Sequence, residues 1–348
     1  MSMSNPPAGG NGLKPALMKL AERGPLSGAE AHEAFSVIMD GAATPAQIGA
    51  FLMGLRVRGE TVDEIVAAAR AMRARMITIE APEGAVDTCG TGGDHSGTHN
   101  ISTAVALVAA GAGLPVAKHG NRAATSRSGS SDVLAALGVK LDCGTGLVER
   151  AIAEAGVGFM MAPNHHPAMR HVAPIRADLG VRTIFNFLGP LANPARVKRQ
   201  VVGVAAAAWV EPIAQAFLQL GAERAWVVHG RDGMDELTTT APSLVAEVKD
   251  GRVTTFEVTP EDAGIERARS GDLKGGDAAF NAAAIRAMLQ GEPSRLRDAV
   301  VFGTAAVLLV AERVADLREG AARATEAIDS GAAAKALERM TAITQGQP

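Results

Sequence analysis

The sequence predicts a two-part chain: a small all-α domain followed by a larger α/β domain with a mainly parallel central sheet. Three observations carry this. Residues 13–80 read as successive amphipathic helices, each with its own start signal. From Val86 onward, short apolar runs alternate with helical stretches, which is the pattern of βαβ units. The length of 348 residues suits about two domains. With 47% hydrophobic and 20% charged residues, the chain is neither disordered nor fibrous.

Met1–Gly12 is rich in Ser, Pro, Gly and Asn, has no basic segment followed by an apolar one, and reads as a flexible tail, not a signal peptide. Ser27 and Glu30 have capping-box spacing ahead of Phe35, Ile38 and Met39. Thr44-Pro45 starts the next helix with Pro at its first position. Ile48, Phe51, Leu52 and Leu55 then form its apolar stripe at i, i+3, i+4, i+7. Thr61 and Glu64 open another, with Ile65, Ala69, Met72 and Met76 on its stripe. Arg70, Arg73 and Arg75 fall off that stripe and read as a solvated face.

Strands are expected at Ala85–Cys89, Leu114–Lys118, Val139–Asp142, Val157–Ala162, Gln200–Ala205 and Ala225–His229. Between them come helices at Ser102–Ala110, Ser131–Leu137 (ended by Gly138) and Leu147–Ala155 (ended by Gly156). Leu244–Lys249 and Val253–Val258 flank Asp250-Gly251, a strong hairpin signal. From Asp277 the chain returns to Ala-rich helix. Residues 163–194 hold two Pro-bounded helical pieces, which either pack back on the N-terminal helices or line the cleft. The domains are therefore expected at 13–80 and 81–345, with no fixed-period repeat.

A net charge of −3 supplies no basic field for nucleic acid, and 3% aromatics with no Tyr leave few stacking platforms. Two cysteines, Cys89 and Cys143, form no disulfide framework and fit a reducing cytoplasm. The longest uncharged stretches, such as Thr103–Ala117, are about 15 residues, too short to span a bilayer.

The chemistry concentrates in three loops. Asp87-Thr-Cys-Gly-Thr-Gly-Gly-Asp94 follows an expected strand and precedes a helix, where glycines let backbone N–H groups approach an anion. His95 stands where a dinucleotide fingerprint needs its third Gly, and Thr98 where a Walker A loop needs Lys. An ordinary tight turn is the competing reading of this loop taken alone. Asn100-Ile-Ser-Thr103 caps the next helix and adds more polar groups than a cap needs. From Lys118 through Ser131 there are three cations, no acids and five serines or threonines, an anion pocket by charge. Both loops end parallel strands, where open α/β sheets place ligands. The third loop, Asp232-Gly-Met-Asp235-Glu236, brings adjacent carboxylates that suit Mg²⁺ beside phosphate; alone, it is equally a charged loop. Its continuation to Thr240 faintly echoes the acidic loop of the usual phosphoribosyltransferases, but lacks their Gly, and is set aside as coincidence.

Gly90-Thr-Gly-Gly-Asp94, Asn100–Thr103, Lys118-His-Gly-Asn-Arg122, Ser130–Gly138, His166-Pro-Ala-Met-Arg170 through Arg176 to Asn186–Pro194, and Asp235-Glu236 resemble, in this order, the anthranilate phosphoribosyltransferase family. The resemblance covers residues 15–340. It implies the nucleoside phosphorylase-like fold, a small α domain with a large α/β domain, dimeric through the small one. It also implies transfer of the phosphoribosyl group of 5-phosphoribosyl diphosphate (PRPP) to anthranilate, in tryptophan biosynthesis. PRPP would meet Gly90, Gly93, Asp94, Thr98, Asn100, Ser102, Thr103, Lys118, His119, Gly120, Asn121, Arg122, Ser126 and Ser130. Anthranilate would meet Gly90, His119, Asn121, His166 and Arg176. Of two expected Mg²⁺ ions, Ser102 would hold one and Asp235 with Glu236 the other. His95 and His99 stand where the family commonly has Gly and Phe, and Met234 where it has Leu.

Other residues read more plainly. His95 with His99, and His165, His166 and His171, lack carboxylate or thiolate partners at zinc-ligand spacing. Cys89 suits packing better than nucleophilic attack, as do Met72, Met76, Met160 and Met161. Without the resemblance, Arg170, Arg176 and Arg182 would pass for surface arginines. The implied reaction needs a stabilised leaving group more than a base, because a neutral arylamine is already nucleophilic, and no general base stands out. Two rivals remain at this point: a pyrimidine nucleoside phosphorylase-like enzyme, and a non-catalytic nucleic-acid-binding relative.

Overall fold

The helix-start signals of the N-terminal region close as hydrogen-bonded caps. The structure, a computed structural model, describes residues 12–94, 96–122 and 127–347. Its first helices are α1 (Lys14–Ala21), α2 (Gly28–Met39), α3 (Pro45–Arg58) and α4 (Val62–Arg73). Ser27, Thr44 and Thr61 each accept the N–H three residues on, and Glu30, Gln47 and Glu64 return the bond. Glu64 is fully buried and also accepts from Leu26 N at 2.9 Å and from Arg58. Helix α4 stops at Arg73, short of Met76. Arg73 and Arg75 are more than a solvated face: Arg73 Nε donates to Leu191 O at 2.6 Å, and Arg75 forms a forked pair with Asp40 at 2.7 and 2.8 Å.

After α4 come β1 (Val86–Gly90), α5 (Ile101–Gly111), β2 (Val116–Gly120), α6 (Ser130–Ala136), α7 (Thr145–Ala155) and β3 (Val157–Met161). Then follow α8 (Ala162–His165), a 3-10 turn at Pro167–His171, α9 (Ala173–Leu179) and α10 (Phe185–Leu191). The chain continues with β4 (Arg199–Gly203), α11 (Val210–Gln219), β5 (Arg224–Gly230), β6 (Ser243–Lys249) and β7 (Arg252–Val258). It ends in α12 (Ala278–Leu289), α13 (Arg295–Val310), α14 (Leu317–Asp329) and α15 (Ala332–Thr344).

The chain divides into two units. One holds the residues up to Ile77 together with Pro163–Ala192. Its aromatic centre is Phe35, packed edge-to-face on Phe51 at 5.2 Å and on Phe185 of α10 at 6.1 Å. The other holds Thr78–Ala162 and everything from Asn193 onward. It is built on a seven-stranded sheet in the order β3-β2-β1-β4-β5-β6-β7. The first five strands in that order are parallel, and β6 and β7 are added antiparallel. Asp250 and Gly251 join the last two strands with φ of +51° and +72°, the left-handed pair of a type I′ hairpin turn.

The core lies where α5, α13, α14 and α15 cover the sheet through Val105, Phe302, Val307 and Ile328. Strand alternation sends Val116 and Phe159 into this cluster, and Ala117 and Met160 into a second one with Ile152. The strand expected at Val139–Asp142 does not form. Val139 N instead donates to Leu134 O at 3.0 Å and Lys140 N to Thr344 Oγ1 at 3.2 Å, so this N–H pair is taken by helix ends and β3 becomes the sheet edge. Between β1 and β4 the strand order reverses direction, which opens a crevice at the carboxyl ends of these two strands.

Candidate active site

Gly90 and Gly203, the last residues of β1 and β4, are paired at that crevice. Both glycines are there because Asp235 lies over them. A Cβ on Gly90 would sit 3.3 Å from Asp235 Oδ2, and one on Gly203 only 1.6 Å from Asp235 O. The Gly-rich loop leaves β1 with Thr91 N bonded to Gly203 O at 2.9 Å, and Gly92 and Gly93 turn through φ of +63° and +84°. Asp94 Oδ2 then accepts from Asp235 N at 3.3 Å, and its Oδ1 from Ser96 N at 3.2 Å. Asp94, Asp235 and Glu236 thus share one end of the sheet.

Lys118 sits near the end of β2 and is 3% exposed. Its ammonium donates to Thr88 O and lies 3.4 Å from Ser102 Oγ. Ser102 opens α5, and its N–H donates to Glu236 Oε1 at 3.2 Å, bringing a carboxylate to a helix N-terminus. Burial pushes the Glu236 carboxyl up to about 7, against the pull of Lys118. Asp235 is raised well above the usual carboxylate range by burial and then by Asp94 and Glu236. The pair is therefore not on an exposed loop; both residues are half-buried.

Among the described residues, no three His, Cys, Asp or Glu side chains form a ready-made metal cage. Mg²⁺ needs no such cage, since one or two carboxylates with phosphate oxygens and water complete its shell. Two carboxyls raised chiefly by burial, Asp235 and Glu236, with Asp94 hydrogen-bonded to the same loop and an ammonium and a hydroxyl beside them, fit that ion.

The other expected phosphate-site residues fall in the same unit. Thr98 Oγ1 lies 3.2 Å from Ser96 Oγ. Asn100 does not cap α5 through its side chain: Nδ2 donates to Ser128 O at 3.1 Å, and Oδ1 accepts from Asn281. Thr103 is buried, its hydroxyl without a partner among the described residues. Gly120 leaves no room for a Cβ, which would meet Ser130 Oγ at 2.5 Å. Ser130 Oγ donates to Asn121 O at 3.3 Å, while Asn121 and Arg122 are exposed. Ser126 and His95 lie outside the described residues. His119 is buried and its N–H donates to Asp87 Oδ1 at 3.1 Å.

His166 and Arg176 belong to the first unit. Burial, then the neighbouring His165, holds the His166 imidazole down to about 4, so it is neutral. Arg176 sits over the Phe185 ring at 5.7 Å. Burial and Arg182 lower its guanidinium from its ordinary value, and among the described residues it has no carboxylate partner. A half-buried guanidinium without an acid is suited to a ligand carboxylate.

Residues 82–334 match the model of the glycosyl transferase family α/β domain, and residues 14–76 that family's helical bundle domain. An anthranilate phosphoribosyltransferase of Rhodospirillum rubrum is 60% identical over 341 residues, 98% of this chain and 98% of that one. The chain belongs to the anthranilate phosphoribosyltransferase family. Solved structures named as anthranilate phosphoribosyltransferases agree. The Thermus thermophilus enzyme superposes with a TM-score of 0.90 at 45% identity, covering 95% of this chain and 99% of that one. The Saccharomyces cerevisiae enzyme in complex with PRPP and Mg gives 0.87 at 28% identity, covering 96% and 98%. Of the three readings left open by the sequence, these relatives support the anthranilate phosphoribosyltransferase and not its rivals.

Sequence reasoning passed over two supports of this anthranilate phosphoribosyltransferase site. Asp87, fully buried, accepts from Asn193 Nδ2 at 2.8 Å, and Asn193 also donates to Ala117 O at 2.9 Å, so one amide staples β1 to β2. The signal was an acid inside an expected strand, Ala85–Cys89. Burial raises its carboxyl, and Lys118 opposes that rise. The second support is the segment before α12, whose signal was Gly275-Gly276 ahead of the Asp277 cap.

Proposed function

We propose that this chain transfers the 5-phosphoribosyl group of PRPP to the amine of anthranilate, releasing diphosphate and forming N-(5-phosphoribosyl)anthranilate. One observation carries it: the buried Lys118 ammonium, the Ser102 hydroxyl at a helix start and the Asp94-Asp235-Glu236 carboxyls meet at the strand-order reversal. That combination of one fixed cation and several acids short of positive charge suits a polyphosphate carried with Mg²⁺.

The amine nitrogen forms a bond to C1 of the ribose as the bond from C1 to diphosphate oxygen breaks, with inversion. Charge develops on the leaving oxygen, so catalysis is positioning and charge stabilisation. Lys118 holds phosphate oxygens, and the N–H groups of the Gly90–Gly93 turn supply further donors. Two Mg²⁺ ions, one at Ser102 and one at Asp235 with Glu236, would neutralise the diphosphate when bound. The amine is neutral and nucleophilic without a strong base, so its proton leaves to solvent or diphosphate after attack. In the other unit, the Arg176 guanidinium suits the anthranilate carboxylate, and neutral His166 suits an aromatic ring. As in the family resemblance, the enzyme acts as a homodimer through its helical domain, in cytoplasmic tryptophan biosynthesis. No helix among the described residues is long and apolar enough to cross a membrane.

The test mixes the protein with PRPP, Mg²⁺ and anthranilate and follows anthranilate fluorescence. Decay that requires both PRPP and Mg²⁺ is expected. Fluorescence that stays constant at high enzyme concentration would overturn the assignment.

A further inference from the structure

We propose that Asn281, which no motif singled out, is a positioning residue that orients the Asn100 amide so that it presents a donor to the sugar phosphate. The proposal rests on the reading of Asn100 as a PRPP contact. Asn281 lies in the first turn of α12 and is 1% exposed. Its Oδ1 accepts from Gly276 N at 2.8 Å. A backbone N–H can only donate, so the oxygen end of Asn281 is set there, and its Nδ2 is the end that faces Asn100. That Nδ2 donates to Asn100 Oδ1 at 2.9 Å. The Asn100 amide is thereby oriented in turn, and its Nδ2 gives one N–H to Ser128 O at 3.1 Å. Among the described residues, the other Asn100 N–H has no acceptor. Orientation thus passes from an unflippable backbone donor through two amides to a donor at the start of α5 that is turned toward a ligand, which is what an anionic ligand requires.

The backbone around this chain of bonds is fixed by the same segment. His99 N donates to Leu273 O at 3.1 Å, Gly275 N donates to Gly97 O at 2.9 Å, and Thr98 pairs with Lys274 as an isolated antiparallel bridge. The approach is close enough that a Cβ on Gly275 would meet Thr98 O at 2.6 Å. The His99 ring stacks on Phe280, one residue before Asn281, at 5.8 Å and 13°. Residues 97–100 are therefore backed along their length by residues 273–281.

The experiment compares Asn281→Asp, Asn281→Ala, Asn100→Ala and the Asn100→Ala/Asn281→Ala double variant by steady-state kinetics in both substrates. Asn281→Asp keeps the acceptor for Gly276 N but cannot donate to Asn100, whose amide then turns to donate and aims its carbonyl at the ligand. Its PRPP KM is expected to rise about fivefold to tenfold, the worth of one oriented hydrogen bond, with the anthranilate KM within about twofold of wild type. The double variant should match Asn100→Ala alone, because Asn281 acts through Asn100. KM is independent of the fraction of folded enzyme, so a variant that melts earlier still reports. A raised PRPP KM in Asn100→Ala with an unchanged one in Asn281→Asp overturns the proposal, as does an additive double variant. An unchanged PRPP KM in Asn100→Ala overturns the underlying reading of Asn100, and the proposal with it.

Discussion

Gly203→Ala adds one methyl group 32 residues before Asp235 in sequence, yet should cripple the enzyme. The built Cβ lies 1.6 Å from Asp235 O and 2.5 Å from Asp235 C, both backbone atoms, so no rotamer change relieves it. Real Cβ contacts stop at about 3.0 Å, which requires a retreat of about 1.4 Å. Strand β4 cannot supply it, being hydrogen-bonded to β1 on one side and β5 on the other. The loop must move instead. It is held by Gly230 N donating to Met234 O at 2.8 Å, by Thr238 Oγ1 donating to Asp232 at 2.7 Å, and by Asp235 N on Asp94. Displacing it carries Asp235 and Glu236 away from Ser102 and Gly90. A misplacement of about 1 Å in a catalytic constellation costs roughly a hundredfold in rate. The assay is the initial rate of anthranilate fluorescence loss across a Mg²⁺ titration, with thermal melts. Gly146→Ala is the control, since its Cβ meets nothing within 4 Å and Gly146 lies in α7. The expected result is a kcat/KM about a hundredfold lower and a raised Mg²⁺ requirement for Gly203→Ala, with Gly146→Ala at wild-type activity. A Gly203→Ala enzyme with wild-type kcat/KM and Mg²⁺ dependence refutes the placement of Asp235.

Glu236→Gln should stabilise the metal-free protein most at high pH. The folded Glu236 carboxyl is raised from 4.5 to about 7, so its contribution is favourable while it is protonated and turns into a cost as pH rises between those values. The Tm difference between Glu236→Gln and wild type should therefore grow from pH 5 to about pH 8; a constant difference would contradict the burial of a charge there. The same variant should lose most turnover, only partly recovered by added Mg²⁺ in a titration. Lys118→Met removes a charge-assisted contact and should raise the PRPP KM roughly tenfold to a hundredfold, and it should also lower Tm because Lys118 caps Thr88 O. An unchanged PRPP dependence would exclude Lys118 from phosphate binding. Arg176→Ala should raise the anthranilate KM about tenfold or more while leaving the PRPP KM within about twofold, because the guanidinium has no carboxylate of the described chain to serve. Equal rises in both constants would show that its role is not specific to the substrate carboxylate.

What the sequence determined by itself is local and periodic. Capping residues and their partners lie three positions apart, so Ser27 with Glu30 and Thr61 with Glu64 were legible, as was the Asp250-Gly251 turn, whose two left-handed residues are adjacent. The alternation of short apolar runs with helices determined a parallel sheet, and ordered motifs sufficed to mark the family. The apolar run at Val139–Asp142 was misleading because strand formation depends on a free sheet neighbour, and its N–H groups found partners at helix ends first. The tertiary structure alone decided which loops converge. The contact of Asp235 with Gly90 and Gly203, the link from Asn281 to Asn100 across 181 residues, and the Asp87-Asn193 staple come from chain reversals that no spacing encodes. It also decided the protonation of Glu236, since the adjacency of two carboxylates is written in the sequence but their burial is not. A sequence carries period and chemistry. Partner and dielectric follow from packing, and those two set the charge on this site.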